Sequence, residues 1–121
     1  MANILVVDDD RSLSTLYEQE FVDEGHNVAL ATDGFEALKY LENNRPDLVI
    51  LDIAMPGMDG IETLWRILGK HRTLPVILNS AYSQYQGNYM TWPANAYVVK
   101  SGDLTELKAK VNELLGVFAA K

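Results

Sequence analysis

The chain has 121 residues and no cysteine, with 10 Lys+Arg against 17 Asp+Glu for a formal net charge of −7. That length fits one domain of about 100–150 residues, and 48% apolar residues supply a core, which excludes disorder and leaves no room for a separate cap or effector unit. The missing cysteines exclude disulfides, thiolate zinc sites and thiol nucleophiles, while the acidity argues against a nucleic-acid or anionic-membrane surface.

Taken in chain order, short apolar runs alternate with helix-period stretches. The runs are Ile4-Leu5-Val6-Val7, Val28-Ala29-Leu30-Ala31, Leu48-Val49-Ile50-Leu51, Val76-Ile77-Leu78 and Tyr97-Val98-Val99. They are continuous and rich in β-branched residues, as expected of strands buried on both faces. After the first run, Leu13, Leu16, Tyr17 and Phe21 mark a helix that stops at Gly25. Ala37, Leu38 and Leu41 mark a second that ends before Pro46, and Ile61, Leu64 and Leu68 a third. The fourth stretch, Tyr82 to Trp92, lacks an aliphatic stripe and carries Gly87, so a short, irregular helix is expected there. Leu104, Leu107, Val111, Leu114 and Leu115 mark the last helix. Five strands alternating with five helical segments read as a doubly wound α/β fold with a parallel sheet. No run approaches the roughly 18 residues of a membrane span, and Met1-Ala2-Asn3 lacks a basic leader, so a cytoplasmic domain is expected.

Ligands in such folds bind outside the carboxyl ends of the strands. Strand one ends in Asp8-Asp9-Asp10, strand three in Asp52, strand four in Asn79-Ser80-Ala81 and strand five in Lys100-Ser101. Removing Asp8, Asp9, Asp10 and Asp52 would leave only −3 of the net −7, so the acidity is concentrated at this edge. Two carboxylates about 4 Å apart repel by roughly 4 kcal/mol at an effective dielectric near 20. Such a cluster needs a counter-charge, and Mg²⁺ with oxygen ligands is the natural one. One Mg²⁺ and Lys100 together neutralise Asp8, Asp9 and Asp52. A carboxylate beside a metal, a lysine and a hydroxyl suits phosphoryl transfer. Taken singly, each residue has a plainer role: Asp10 caps the following helix, His26 and His71 lie on the surface, and Trp65 packs. Trp92 and the tyrosines near it are assigned to packing ahead of a partner face.

These residues resemble the receiver domains of two-component response regulators over the whole chain. Ile-Leu-Val-Val-Asp8-Asp9-Asp10 is similar to the family's first strand and acidic pair, and Leu-Val-Ile-Leu-Asp52-Ile-Ala-Met-Pro56-Gly-Met-Asp59-Gly60 to its phosphoacceptor strand and loop. Ser80-Ala81 resembles the family's hydroxyl and small residue, and Ala-Tyr97-Val-Val-Lys100 its switch aromatic and lysine. The resemblance implies a flavodoxin-like fold with strand order 2-1-3-4-5 and one receiver domain over residues 1–121. It implies that Asp52 accepts a phosphoryl group from a histidine kinase or phosphotransfer protein. Asp8, Asp9, Asp52 and the Ala54 carbonyl would hold Mg²⁺, with Asp9 a direct ligand and Asp8 acting mainly through water. Lys100 would pair with a phosphoryl oxygen, Ser80 would hydrogen-bond to the phosphoryl group, and Tyr97 would turn inward. The output would be a downstream protein or a further domain, with no direct nucleic-acid or membrane partner.

The chain departs from the family in three places. Ser101 replaces the usual proline after the lysine, where a cis bond is customary, which leaves the Lys100–Ser101 bond open between cis and trans. The 82–92 stretch is more polar than usual. Ala54 and Tyr82 occupy positions where the family varies its dephosphorylation rate. Two alternatives remain open: a receiver that is no longer phosphorylated and acts only by interaction, and a haloacid-dehalogenase-type phosphohydrolase with Asp8 as nucleophile and Asp10 as acid–base group.

Overall fold

Along β1 (Asn3–Val7) the side chains alternate between two apolar layers, Ile4 and Val6 facing one and Leu5 and Val7 the other. The chain then runs through α1 (Arg11–Asp23), β2 (Asn27–Ala31), α2 (Gly34–Asn43), β3 (Leu48–Leu51) and α3 (Gly60–Lys70). β4 (Val76–Ser80), β5 (Ala96–Val99) and α4 (Thr105–Ala119) follow. This computed structural model describes residues 2–55, 57–81, 91 and 93–119. The expected irregular helix over 82–92, with Trp92 and its neighbouring tyrosines, lies outside the described residues except for Thr91, which is buried.

All four strand pairings are parallel and the order is β2-β1-β3-β4-β5. Leu5, Val7, Val49, Leu51 and Leu78 meet α2 and α3 through Leu41, Leu64 and Ile67. On the other face Ile4, Val6, Ile50, Ile77 and Val98 pack with Tyr17 and Phe21 of α1 and Leu107 and Val111 of α4. β1 from Ile4 onward, β3 and β4 are therefore buried on both faces, which is why Ile4–Val7, Leu48–Leu51 and Val76–Leu78 are apolar without interruption.

β2 departs from that expectation. It is an edge strand in which only Ala31 is fully buried, and Leu30 is 36% exposed. An apolar run does not distinguish a central strand from an edge one. Two helix positions also differ. Leu16 is exposed while Ser14, two residues earlier, is buried. Trp65, expected to pack, is 45% exposed on the outer side of α3, whose inward face is carried by Thr63, Leu64 and Ile67.

The helix starts follow from local chemistry. Asp10, Asp33 and Asp59 each sit at an N-cap with extended backbone and accept from the amide three residues on, at 3.1, 2.8 and 2.9 Å. Gly25 ends α1 with φ of 94°, a conformation that side chains disfavour. No peptide bond among the described residues is cis, so Lys100–Ser101 is trans.

Candidate functional site

Parallel pairing brings the carboxyl ends of β1, β3, β4 and β5 to one edge. Asp8 follows β1, Asp52 follows β3, Ser80 is the last residue of β4 and Lys100 follows β5. The Asp8 amide continues the ladder by donating to the Ala31 carbonyl at 3.0 Å, and that of Asp52 donates to the Val7 carbonyl at 2.9 Å. The Lys100 amide donates to the Ser80 carbonyl at 2.7 Å. Each side chain therefore leaves a hydrogen-bonded backbone.

Carboxylate oxygens of Asp8, Asp9 and Asp52 lie within 4.8 Å of one another. Asp8 and Asp52 are buried and Asp9 is exposed. Lys100 Nζ bridges the buried pair, 2.8 Å from Asp8 Oδ2 and 3.3 Å from Asp52 Oδ2. Asp8 Oδ1 also accepts from the Asp10 amide at 2.9 Å. Three carboxylates against one ammonium leave a local excess of negative charge, and their hard oxygen donors fit Mg²⁺.

Burial pushes the Asp52 carboxyl above its ordinary range; Lys100 opposes this, Asp8 reinforces it, and backbone hydrogen bonding from Ala54 opposes it. Burial would lower the Lys100 ammonium, but its hydrogen bond to Asp8 and the charges of Asp52 and Asp8 outweigh that and raise it. Lys100 is thus held firmly as a cation.

The structure brings Asp8, Asp9, Asp52 and Lys100 together, with Ser80 buried at the adjoining strand end. Tyr97 is half-buried against the core layer under α2 and α3, and Ala54 is exposed in the loop after Asp52. Asp10 caps α1 instead of joining the cluster, so it is not held as the acid–base group of the phosphohydrolase alternative. The sequence reading missed Tyr17 and Asn79, joined by a buried hydrogen bond of 2.7 Å, and Ser14, whose hydroxyl donates to the Asp8 carbonyl at 3.3 Å. A buried hydroxyl or amide needs a partner, and neither a helix stripe nor a strand end says which one it will find.

Gly60 explains the loop that presents Asp52. Its amide donates to the Ile53 carbonyl at 2.8 Å, and a Cβ there would run into the Asp52 carbonyl oxygen and lie 2.5 Å from Ile53 Cα. α3 can start this close to the end of β3 only without a side chain at that position.

The family model for the response regulator receiver domain matches residues 4–112. The chain belongs to that family. Curated relatives of this receiver include the response regulator MprA of Mycobacterium sp. strain KMS, 38% identical over 93% of this chain and 50% of its own length. The transcriptional regulatory protein PrrA of Mycobacterium bovis is 39% identical over 93% of this chain and 49% of its length. The receiver therefore spans about half the length of these relatives. Among solved structures, the response regulator TrrA of Thermotoga maritima in complex with Mg²⁺-BeF superposes with a TM-score of 0.91 at 44% identity, covering 94% of this chain and 99% of that one. A structure of the histidine kinase ThkA in complex with TrrA gives 0.90 at 44% identity, covering 95% and 99%. Such receivers are signalling modules rather than classical enzymes. No helix among the described residues is long and apolar enough to cross a membrane.

Proposed function

We propose that residues 1–121 act as one cytoplasmic receiver that takes a phosphoryl group onto Asp52 from a histidine kinase or phosphotransfer protein. The observation that carries this is the Lys100 ammonium bridging Asp8 and Asp52 beside a third carboxylate, all within 4.8 Å. TrrA, with which this chain shares 44% identity, forms a complex with a histidine kinase, which supports that class of donor.

In this reading an Asp52 oxygen attacks phosphorus, a P–O bond forms and the donor's P–N bond breaks, the leaving imidazole retaining or taking up a proton. Asp9, Asp8, Asp52 and the Ala54 carbonyl would hold Mg²⁺, which when bound supplies the positive charge that offsets the carboxylates and the phosphoryl oxygens. Lys100 leaves Asp52 for a phosphoryl oxygen while its hydrogen bond to Asp8 keeps it in place. The Ser80 hydroxyl turns to the phosphoryl group and draws in the loop after β4, and Tyr97 moves from half-buried to buried. The phosphoryl group thus shifts a population between two arrangements. A downstream protein or a further domain reads out the change.

The test is to incubate the protein with Mg²⁺ and a small phosphodonor and to weigh it intact. A phosphate-sized adduct is expected in the wild type and none in Asp52→Asn. An adduct that persists in Asp52→Asn, or its absence from the wild type with every donor including a cognate kinase, refutes the assignment. Ser80→Ala should still form the adduct but show a weakened structural response by NMR.

A further inference from the structure

A buried polar pair lies next to the acidic site, and the phosphoryl chemistry above does not use it. Asn79 Nδ2 donates to Tyr17 Oη at 2.7 Å, and neither residue is more than 2% exposed. Side chains alternate along a strand, so Asn79 turns to the α1 layer that holds Ile77, and Ser80 to the layer that holds Leu78. One strand end therefore presents the switch hydroxyl on one face and an anchor to α1 on the other.

Following the bonds outward from this pair gives a closed ring. Tyr17 lies three residues from Ser14 on the same face of α1, and Ser14 Oγ donates to the Asp8 carbonyl at 3.3 Å. Asp8 Oδ2 holds Lys100 Nζ at 2.8 Å. The Lys100 amide donates to the Ser80 carbonyl at 2.7 Å, and Ser80 is joined by its peptide bond to Asn79. The ring passes through the residue after β1, α1, the end of β4 and the residue after β5, and the Tyr17–Asn79 bond is its link from α1 to β4. The burial of the Tyr17 hydroxyl, which raises its pKa, places it where Lys100, Asp8 and Asp52 are felt electrostatically.

We infer that Tyr17 and Asn79 are positioning residues for the phosphoryl response, closing a ring of bonds that fixes Ser80 and Lys100 relative to Asp8 and Asp52. The inference rests on the proposed role of Asp52 as acceptor. An apolar pair would fill the same space, but it would not dictate one orientation of the β4 end, because a hydrogen bond is directional and dispersion is not.

The experiment compares the wild type with Tyr17→Phe and with Tyr17→Phe/Asn79→Leu, each checked by urea unfolding. Tyr17→Phe leaves the Asn79 amide without its acceptor and destabilises the fold, whereas removing both polar groups restores most of the loss. At matched stability, the double variant should still phosphorylate Asp52 about fivefold or more slowly with Mg²⁺ and a small phosphodonor. Adding Ser80→Ala should then change its NMR response to phosphorylation little, since the hydroxyl is already out of place. If the double variant phosphorylates within about twofold of wild type and keeps the full Ser80-dependent response, the pair only fills space and the inference is overturned. Should the double variant not fold, Tyr17→Phe measured well below its Tm carries the same expectation. A wild type that forms no adduct would instead overturn the acceptor assignment, and the inference with it.

Discussion

Asp52 sits where its charge is costly. It is 4% exposed, and burial raises its pKa despite Lys100 at 3.3 Å. A raised carboxyl means that the folded protein holds the proton more tightly than the unfolded chain. Stability is therefore lost as pH climbs from the ordinary value of 3.8 through the raised one, and the full penalty is present above it. Asp52→Asn removes that penalty and should raise the Tm at pH 7 above that of the wild type. Its advantage should shrink to nothing at pH values below the ordinary carboxylate range. Thermal melts of both proteins across pH provide the check. A variant less stable than wild type at pH 7 would show that pairing with Lys100 outweighs burial. Asp8, Asp52, Ser80 and Lys100 were legible in the sequence because each follows or ends an apolar run. Tyr17 and Asn79 were not, because a helix stripe accommodates tyrosine as an apolar residue and a strand end accommodates asparagine as a cap, so neither advertised the other across 62 positions.

At the scale of elements, the loop from β3 to α3 carries the tightest steric constraint. Gly60 has Asp52 and Ile53 backbone atoms where a Cβ would stand, and backbone cannot move aside as a flexible side chain can. Gly60→Ala should cost about 3 kcal/mol or more in urea unfolding, at or beyond the upper end of ordinary overpacking. The same change should displace Asp52 and slow phosphorylation. Asp59→Ala, one residue earlier, removes only the cap on the Glu62 amide and should cost about 1 kcal/mol. Equal effects from the two would mean that the close approach is absorbed. The order of helices and strands was readable because period and length differ between them. The edge position of β2 and the exposure of Leu16 and Trp65 were not, since hydropathy records that a side chain is apolar but not whether another layer arrives to cover it. The strand order itself came through family resemblance, because alternation alone does not say which strand is central.

Over the whole molecule, charge is arranged by end. Asp8, Asp9 and Asp52 crowd the carboxyl edge of the sheet, while Arg45, Lys70 and Arg72 line a groove of about 550 Å³ that also contains Ala2 and Asp47 and holds none of the acidic trio. The acidic edge is thus a local field that a divalent cation would relieve. A cation that binds the folded state alone stabilises it by mass action, about 2.7 kcal/mol at a hundred times its Kd. For the wild type this corresponds to a rise of roughly 10 °C in Tm on adding saturating Mg²⁺. Asp9 separates metal binding from folding because it is exposed and, among the described residues, makes no ion pair within 4.0 Å. Asp9→Asn should therefore match or slightly exceed the wild-type Tm without metal, having one repulsive charge fewer, yet gain little from Mg²⁺. Sodium chloride at equal ionic strength should raise the wild type much less, because screening weakens repulsion without occupying a site. Calorimetry with and without a chelator measures both arms. Equal Mg²⁺ stabilisation in the two proteins would show that Asp9 is not a ligand, and equal effects of Mg²⁺ and sodium chloride would show that the ion acts only as bulk charge.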